Sequence, residues 1–249
     1  MFPIRDHNPS NRVPFVTYAL IALNVAIFLW GEVAITTDRD LGWLYYNYAM
    51  IPERITAGEN YASFITSMFL HAGWMHIGGN MLFLFIFGDN MEDEMGHVPF
   101  LLFYLASGIA ATLAQYVGEP FSPVPMVGAS GAIAGVMGGY LLLFPKAKVD
   151  ILLFFIIIIR IIPVPAWIML GLWFGLQLFG GVTADLNAGG VAYWAHAGGF
   201  IAGFILTLPL WIRLGGTGFW ARTDGHPPHP DATYAFERSR VPDVRRRRN

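Results

Sequence analysis

Long apolar stretches separated by short polar ones dominate the chain. The first begins at Val13 and continues to about Ile35, with a single charge at Glu32. A transmembrane helix needs about 20 consecutive, mostly apolar residues, so this stretch predicts a helix that crosses a bilayer. Five further stretches predict five more such helices, at about 75–92, 98–117, 130–144, 164–179 and 194–211.

Two regions interrupt this pattern. Residues 36–59 are polar but rich in Trp and Tyr, which are typical of the headgroup region of a membrane. Residues 151–162 are apolar, but Arg160 lies within them and Pro163 and Pro165 follow, and prolines break helical hydrogen bonding. We therefore expect the first region to lie at the membrane surface and the second to be an interfacial or re-entrant piece.

Composition supports a membrane protein and excludes several other classes. Hydrophobic residues make up 55% of the 249 residues and charged residues only 13%, about half of the roughly 25% found in soluble domains. The absence of cysteine excludes disulfides, a thiol nucleophile and cysteine-based metal sites. A net charge of -2 gives no general basic character for binding nucleic acid.

The basic residues predict the orientation in the membrane. Six crossings would place both termini on one side, together with thirteen of the fifteen Lys and Arg residues, and would leave only Arg39 and Arg54 on the other. The positive-inside rule then predicts a multi-pass membrane protein with cytoplasmic termini. We expect it in the cell's inner (plasma) membrane. We expect a cytoplasmic segment at 1–12, a membrane domain at 13–214 and a disordered basic tail at 215–249.

Ser130 is the most informative polar residue in the apolar stretches. The fourth predicted helix starts there and has about fifteen residues before Pro145, so it is roughly 22 Å long and shorter than the ~30 Å hydrocarbon core. The helix would therefore begin inside the membrane, after an irregular stretch at 119–128 that must line a water-filled cavity or be buried in protein. A hydroxyl, free helix-start amides and water would then coincide, as hydrolysis requires.

His196 is expected to lie near Ser130. Both residues occur near the starts of helices that run in the same direction, so they should have similar depth in the membrane. Rows of small residues would allow these two helices to pack closely; they are Gly131, Gly135 and Gly139 on the fourth helix and Ala195, Gly199 and Gly203 on the sixth. A Ser–His hydrogen bond is therefore predicted, with His196 as a base for a Ser130 nucleophile.

His76 and Asn80 lie four residues apart and share one face of the second helix. Both side chains can donate a hydrogen bond. Together with the Ser130 amide they could form an oxyanion hole, which stabilises the negative charge of a tetrahedral intermediate.

Each of these residues also has a plainer interpretation. Ser130 could bond to a helix carbonyl, His196 could be packed or relay protons, and His76 with Asn80 could join two helices.

A metal site is not favoured, because no HExxH motif, cysteine or carboxylate at ligand spacing accompanies the histidines. We interpret Gln115 as polar packing and Asp185 as a loop residue.

Three motifs carry a resemblance to a known family. They are HAGWMHIGGN at 71–80, GASG at 128–131 and AHAGGF at 195–200, in that order on the second, fourth and sixth predicted helices. On these motifs the chain, over about residues 13–214, resembles the rhomboid intramembrane serine proteases of the bacterial six-helix type. The resemblance implies an all-α polytopic membrane protein: a bundle of six transmembrane helices with a half-embedded first loop.

The resemblance also implies roles for individual residues. Ser130 would be the nucleophile and His196 the general base, in a dyad without an acidic third member. His76, Asn80 and the Ser130 amide would form the oxyanion hole. Four further residues would support the site: Gly128, Gly131, His71 and Gly199. Family members cleave transmembrane helices of other membrane proteins in the lipid bilayer, with water, no cofactor and no metal.

The chain departs from the family pattern at two places. Many members carry Trp-Arg shortly before the first motif, where this chain has Ala62 and Ser63. The residue one turn after the nucleophile is Ala134, so position 134 offers no aromatic ring to stack on His196. Because the dyad also lacks an acidic partner, we expect packing alone to orient His196. In the family, the fifth helix and the loop that caps the active site act as the gate. In this chain they would correspond to residues 164–179 and about 180–193.

Two other functions remain open from the sequence. One is a protein that binds transmembrane helices without cutting them, as inactive relatives of rhomboids do. The other is a small transporter or proton-coupled channel that uses the histidines.

Overall fold

The computed structural model describes residues 2–155, 158–183, 190–228, 230 and 232. Within them the chain forms helices, three strands and one 3-10 turn at Ser67–Phe69. The helices are α1 (Phe15–Ala34), α2 (Asp38–Tyr48), α3 (Pro52–Thr56), α4 (Ser63–Thr66), α5 (Trp74–Met95), α6 (His97–Gly118), α7 (Ser130–Leu143), α8 (Ala166–Thr183), α9 (Tyr193–Leu214) and α10 (Thr217–Thr223). The strands are β1 (Phe2–Asp6), β2 (Lys148–Phe155) and β3 (Ile158–Pro165).

The prediction of a mostly helical membrane protein is confirmed. Each of the six predicted apolar helices is present as a helix: α1, α5, α6, α7, α8 and α9. In the described part of the chain, four of them are long and apolar enough to cross a membrane. Residues 63–69 and α5, which meet at a bend of 97°, make a fifth if the pair counts as one span. Helix α7 is shorter, so six crossings remain a prediction.

A three-stranded sheet adds to the helices in a way that hydropathy does not predict. Strands β2 and β3 form an antiparallel hairpin, and β1 pairs with the other edge of β2, so the order is β1-β2-β3. The apolar run at 151–162 thus forms strands, with residues 156–157 outside the described part. Its Ile residues favour strands, but a continuous apolar run has no period that separates a strand from a buried helix.

Both ends of the described chain meet at the end of the bundle that carries this sheet, which we call the sheet end. The N-terminal segment, predicted as separate, contributes β1 and packs Asn8 against the Tyr140 hydroxyl at 2.7 Å. Beyond α9, the backbone of Gly225 accepts a hydrogen bond from the Lys146 amide at 3.0 Å. The expected disorder after residue 214 is therefore wrong for α10, whereas residues 233–249, with the basic tail, lie outside the described part.

Helix α7 occupies the centre of the bundle. All of its residues except Ser130 and Leu141 are buried. This burial explains its sequence, because a helix that is surrounded by protein has no polar face and needs small residues where neighbours approach closely.

The two predicted rows of small residues face each other across α7 and α9. A Cβ on Gly199 would lie 2.1 Å from the Gly131 carbonyl oxygen, and a Cβ on Gly203 would lie 2.0 Å from that of Gly135. One turn further, Gly139 lies against Thr207. The residue offset is the same in all three pairs, so the helices run parallel and in a fixed register.

A buried carboxylate joins α1 to α5. Glu92 accepts hydrogen bonds from the backbone amides of Val16 at 2.9 Å and Thr17 at 2.7 Å. These amides belong to the first turn of α1, which lacks intrahelical partners and favours negative charge. Glu92 therefore supplies the N-terminal cap that Pro14 does not.

We predict that Gly203→Ala destabilises the protein by about 1–3 kcal/mol, because a methyl group cannot fit against the Gly135 carbonyl without separating α7 from α9. Gly175→Ala is the matched control, since nothing lies within 4 Å of its Cβ position. Thermal melts in detergent compare the two variants. Equal melting temperatures would contradict backbone contact between these helices.

Asp6 predicts a pH dependence at the sheet end. Burial raises the pKa of Asp6 to about 6, against hydrogen bonds from Asn8 and Tyr140 that lower it. Between pH 3.8 and about 6 the folded state therefore holds a proton on Asp6 that the unfolded state has released, because the pKa in the unfolded state is near 3.8. Stability consequently falls as pH rises through this range. We expect the melting temperature of Asp6→Asn, relative to wild type, to rise across this window and level off above it. A difference independent of pH would contradict the assignment.

Candidate active site

Ser130 lies at the first position of α7, at the end of the bundle opposite the sheet. The stretch at 119–128 is non-helical as predicted, and Ala129, which follows it, is fully buried. With fourteen residues, α7 is about 21 Å long. The amides of its first turn have no intrahelical partners, so free N–H groups lie beside the Ser130 hydroxyl.

The first loop, residues 36–59, makes hydrogen bonds with the stretch before Ser130. Met50 and Met126 exchange two backbone hydrogen bonds, at 3.1 and 2.8 Å, and the Glu53 amide donates to the Ser122 carbonyl at 3.1 Å. The Thr56 hydroxyl donates to the Pro120 carbonyl at 2.6 Å. Contacts of this kind satisfy backbone N–H and C=O groups in a stretch that has no helix or strand to pair them.

Arg54 holds the first loop together from inside. Its guanidinium lies 3.7 Å from the centroid of the Tyr46 ring, donates to the Tyr46 carbonyl, and pairs with Glu59 at 3.0 Å. Ser63, at the position of the family's arginine, is buried and donates to the Asn60 carbonyl at 2.7 Å. Arg54 thus joins two parts of the loop to each other, and Ser63 makes a short-range contact with Asn60.

The structure brings Ser130 and His196 together. Ser130 Oγ and His196 Nε2 are 2.7 Å apart, a normal distance for an O–H to nitrogen hydrogen bond. The contact follows from the register of α7 on α9, because the pair lies just before the Gly131–Gly199 contact on both helices.

Gln115 fixes the start of α9. Its Oε1 accepts a hydrogen bond from the Ala195 amide at 3.1 Å, and its side chain is buried. Ala195 lies in the first turn of α9, where an amide has no intrahelical partner. Gln115 is thus more than polar packing: it caps the helix one residue before His196.

The expectation that packing alone orients His196 is wrong. Its Nδ1 lies 2.9 Å from Gln177 Oε1, and its ring lies 5.7 Å from that of Trp173, at a tilt of 34°. Both residues belong to α8 and were missed in the sequence. Gln177 could have been found by the rule that identified Gln115, because it is an amide in an otherwise apolar helix.

His76 and Asn80 lie on one face of α5 beside the stretch that precedes Ser130. Gly128 has a φ of 128° there, and a Cβ at this residue would lie 2.8 Å from His76 Nε2 and 3.6 Å from Asn80 Nδ2. Only glycine fits this conformation and this space. Gly128 thus allows the backbone to approach both side chains.

The donors of His76 and Asn80 are available. The Ala72 amide donates to His76 Nδ1 at 3.4 Å, which favours the tautomer with the proton on Nε2. Asn80 Nδ2 is buried and has no hydrogen-bond partner among the described residues. Buried donors are almost always paired, and this unpaired one is free to donate to a group placed beside Ser130.

His71 has a different place. Its ring is 8% exposed and packs edge-on against that of His76, with centroids 5.2 Å apart. It therefore supports the position of His76 and does not reach Ser130.

A cavity of about 800 Å³ contains the polar residues of the site, including Ser130, His196, His76, Asn80 and Gln115. Its wall is otherwise largely apolar, formed by side chains such as Met75, Phe83, Ile133, Met137 and Trp173. Gly190 and Val191 of the predicted capping loop also line it. Residues 184–189 of that loop, with Asp185, lie outside the described part.

No metal centre is evident in the part of the chain that the structure describes, because it contains no group of three His, Asp or Glu side chains placed to hold an ion. The arrangement is a serine hydroxyl on an imidazole, with hydrogen-bond donors nearby in a cavity. Such a set can perform acyl transfer.

Comparison with known proteins agrees with the motifs. The family model for the Rhomboid domain matches residues 58–213. The mitochondrial rhomboid protein 1 of Saccharomyces cerevisiae is 32% identical over 205 residues, which cover 80% of this chain and 53% of that protein. The rhomboid protease GluP of Bacillus subtilis is 35% identical over 135 residues, 53% of this chain and 25% of that protein.

Rhomboid-related protein 2 of Mus musculus is 30% identical over 132 residues, which cover 53% of this chain and 42% of that protein. The chain thus spans between a quarter and about half of the length of these three relatives.

Proposed function

The chain belongs to the rhomboid family, and from this premise we propose that it is a serine endopeptidase that cleaves transmembrane helices of other membrane proteins. The observation that carries the proposal is the 2.7 Å contact between Ser130 Oγ and His196 Nε2 inside a cavity. A packed serine would bond to its own helix backbone. Here the hydroxyl instead meets a base from another helix.

The chemistry begins with proton transfer. As Ser130 Oγ attacks the carbonyl carbon of the scissile bond, its proton moves to His196 Nε2. The tetrahedral intermediate then collapses, the C–N bond breaks, and the imidazolium gives its proton to the leaving amine. Water, activated by the neutral His196, hydrolyses the acyl-enzyme and regenerates Ser130.

Charge on the carbonyl oxygen of the intermediate is stabilised by three donors. These are the backbone amide of Ser130, Nε2–H of His76 and Nδ2–H of Asn80. In support, Asn80 Nδ2 is unpaired and the Gly128 backbone lies close to both side chains. Fixed donors in a site that excludes bulk water act more strongly than water would.

The substrate is a helix that must unwind before its backbone reaches Ser130, because helical carbonyls are already hydrogen-bonded. We expect it to enter beside α8, which contributes Trp173 and Gly181 to the cavity wall. The mostly apolar wall suits the side chains of a transmembrane segment. Small or helix-breaking residues at the cleavage point would make unwinding easier.

The protein would act in the cell's inner membrane with the sheet end in the cytoplasm. The meeting of both described chain ends at the sheet end supports termini on one side. The unequal distribution of Lys and Arg supports a cytoplasmic location of that side. Ser130 would then lie toward the outer surface of the membrane.

We predict that Ser130→Ala and His196→Ala each abolish cleavage of a transmembrane reporter in reconstituted liposomes, since each removes one half of the proton transfer. His226→Ala, near the sheet end, is the control for loss of a histidine and should cleave like wild type. Full activity of either dyad variant would overturn the proposal. A transporter would instead show solute flux that survives Ser130→Ala.

Asn80→Ala should reduce kcat without abolishing cleavage, because it removes one of three donors. Loss of one such donor in a well-studied soluble serine protease lowers kcat by about 10²–10³, or about 2.7–4 kcal/mol. Asn47→Ala, which removes an exposed amide that donates to the Trp43 carbonyl on α2 at 2.7 Å, is the matched control. If Asn80→Ala cleaves as fast as Asn47→Ala, Asn80 has no part in the oxyanion hole.

A further inference from the structure

Gln177 is unusual for its position on α8. The other buried residues of this helix are Ala166, Met169 and Leu170, all in its first turns at the sheet end. Beyond Leu170, Gln177 alone is buried, and Gly180 and Gly181 lie against the rings of Tyr193 and Trp194. A buried amide in a membrane helix is unfavourable unless its hydrogen bonds are satisfied, so its presence requires a reason.

The direction of the Gln177 amide is fixed by its own helix. Its Nε2 donates to the Trp173 carbonyl at 3.3 Å, and its Oε1 faces His196 Nδ1 at 2.9 Å. Turning the amide over would place its oxygen against the Trp173 carbonyl oxygen, and two acceptors repel each other. The oxygen therefore faces the imidazole.

This direction selects one tautomer of His196. Because an amide oxygen can only accept, Nδ1 must carry the proton, and Nε2 is left with the lone pair that faces Ser130. The opposite tautomer would place N–H on Nε2, which could not accept the Ser130 proton. The Trp173 ring lies over His196 from the same helix and limits its rotation.

We propose that Gln177 is a positioning residue that holds His196 in the tautomer and orientation needed to accept the proton of Ser130. Resting on the proposed protease function, this inference extends it: the proton-accepting geometry is complete only while the outer half of α8 packs on α9. A shift of that half of α8 would remove the oxygen from Nδ1 and the Trp173 ring from His196 together.

Two substitutions separate positioning from packing. Gln177→Met keeps the approximate size and removes the strong acceptor. Gln177→Glu keeps an acceptor oxygen for His196, and in its protonated form its O–H replaces the Nε2 donor to the Trp173 carbonyl. Leu172→Ala, on the lipid-facing side of α8 with a 52% exposed side chain, is the control for general damage to the helix. Each variant is reconstituted with the transmembrane reporter, and kcat and KM are measured separately.

We expect Gln177→Met to lower kcat by about 10- to 100-fold with KM changed less than twofold. This loss is smaller than the roughly 10⁴-fold effect of a wrongly held tautomer in a serine protease triad, because methionine leaves the tautomer unspecified. Gln177→Glu should keep kcat within a few-fold of wild type, and Leu172→Ala should match wild type.

Either of two kcat results would overturn the inference: wild-type kcat in Gln177→Met, or equal loss of kcat in the Met and Glu variants when both melt like wild type. A change confined to KM would also overturn it, since it would indicate substrate binding. Failure of the proposed function looks different, because wild type itself would then show no cleavage above Ser130→Ala.

Discussion

The carbonyl oxygens of Gly131 and Gly135 lie where side chains of Gly199 and Gly203 would begin, so α7 and α9 pack backbone against backbone. Helices in a bilayer gain little from burying apolar surface against each other, and close packing of small residues takes its place. The contact fixes both the distance and the register of the two helices. Ser130 and His196 lie just before the first of these pairs and meet at 2.7 Å as a consequence. The proposed dyad therefore depends on residues that take no part in chemistry.

Some of the buried polar groups inside this bundle have hydrogen-bond partners and others have none among the described residues. Gln115 caps α9 through the Ala195 amide, and Glu92 caps α1 through two backbone amides. Without water to replace them, such partners are required wherever a helix begins inside protein or membrane. Asn80 Nδ2 differs, because it is buried and unpaired beside the Ser130 end of α7. Its position beside Ser130 is what supports the proposed role of Asn80 in the oxyanion hole.

Much of this architecture can be predicted from the sequence, since hydropathy, proline positions and small-residue spacing record where helices lie and which faces pack. The encounter of Ser130 with His196 follows from such spacing. The hairpin at 148–165 and the pairing of β1 with it could not be predicted, because long-range strand pairing leaves no local period. The sequence shows Gln177 as a lone amide in an apolar helix, which needs a hydrogen-bond partner. It does not show which residue that partner is. Only the packing of α8 on α9 reveals that partner as His196.

Activation of Ser130 as a nucleophile by His196 can be tested without knowing any substrate. The purified protein in detergent is treated with a fluorophosphonate that reacts with activated serines, and the modified residue is mapped by mass spectrometry. We expect an adduct on Ser130 in wild type that is lost in a folded His196→Ala variant. An unlabelled Ser130 in wild-type protein that melts cooperatively, or labelling that persists without His196, would contradict it.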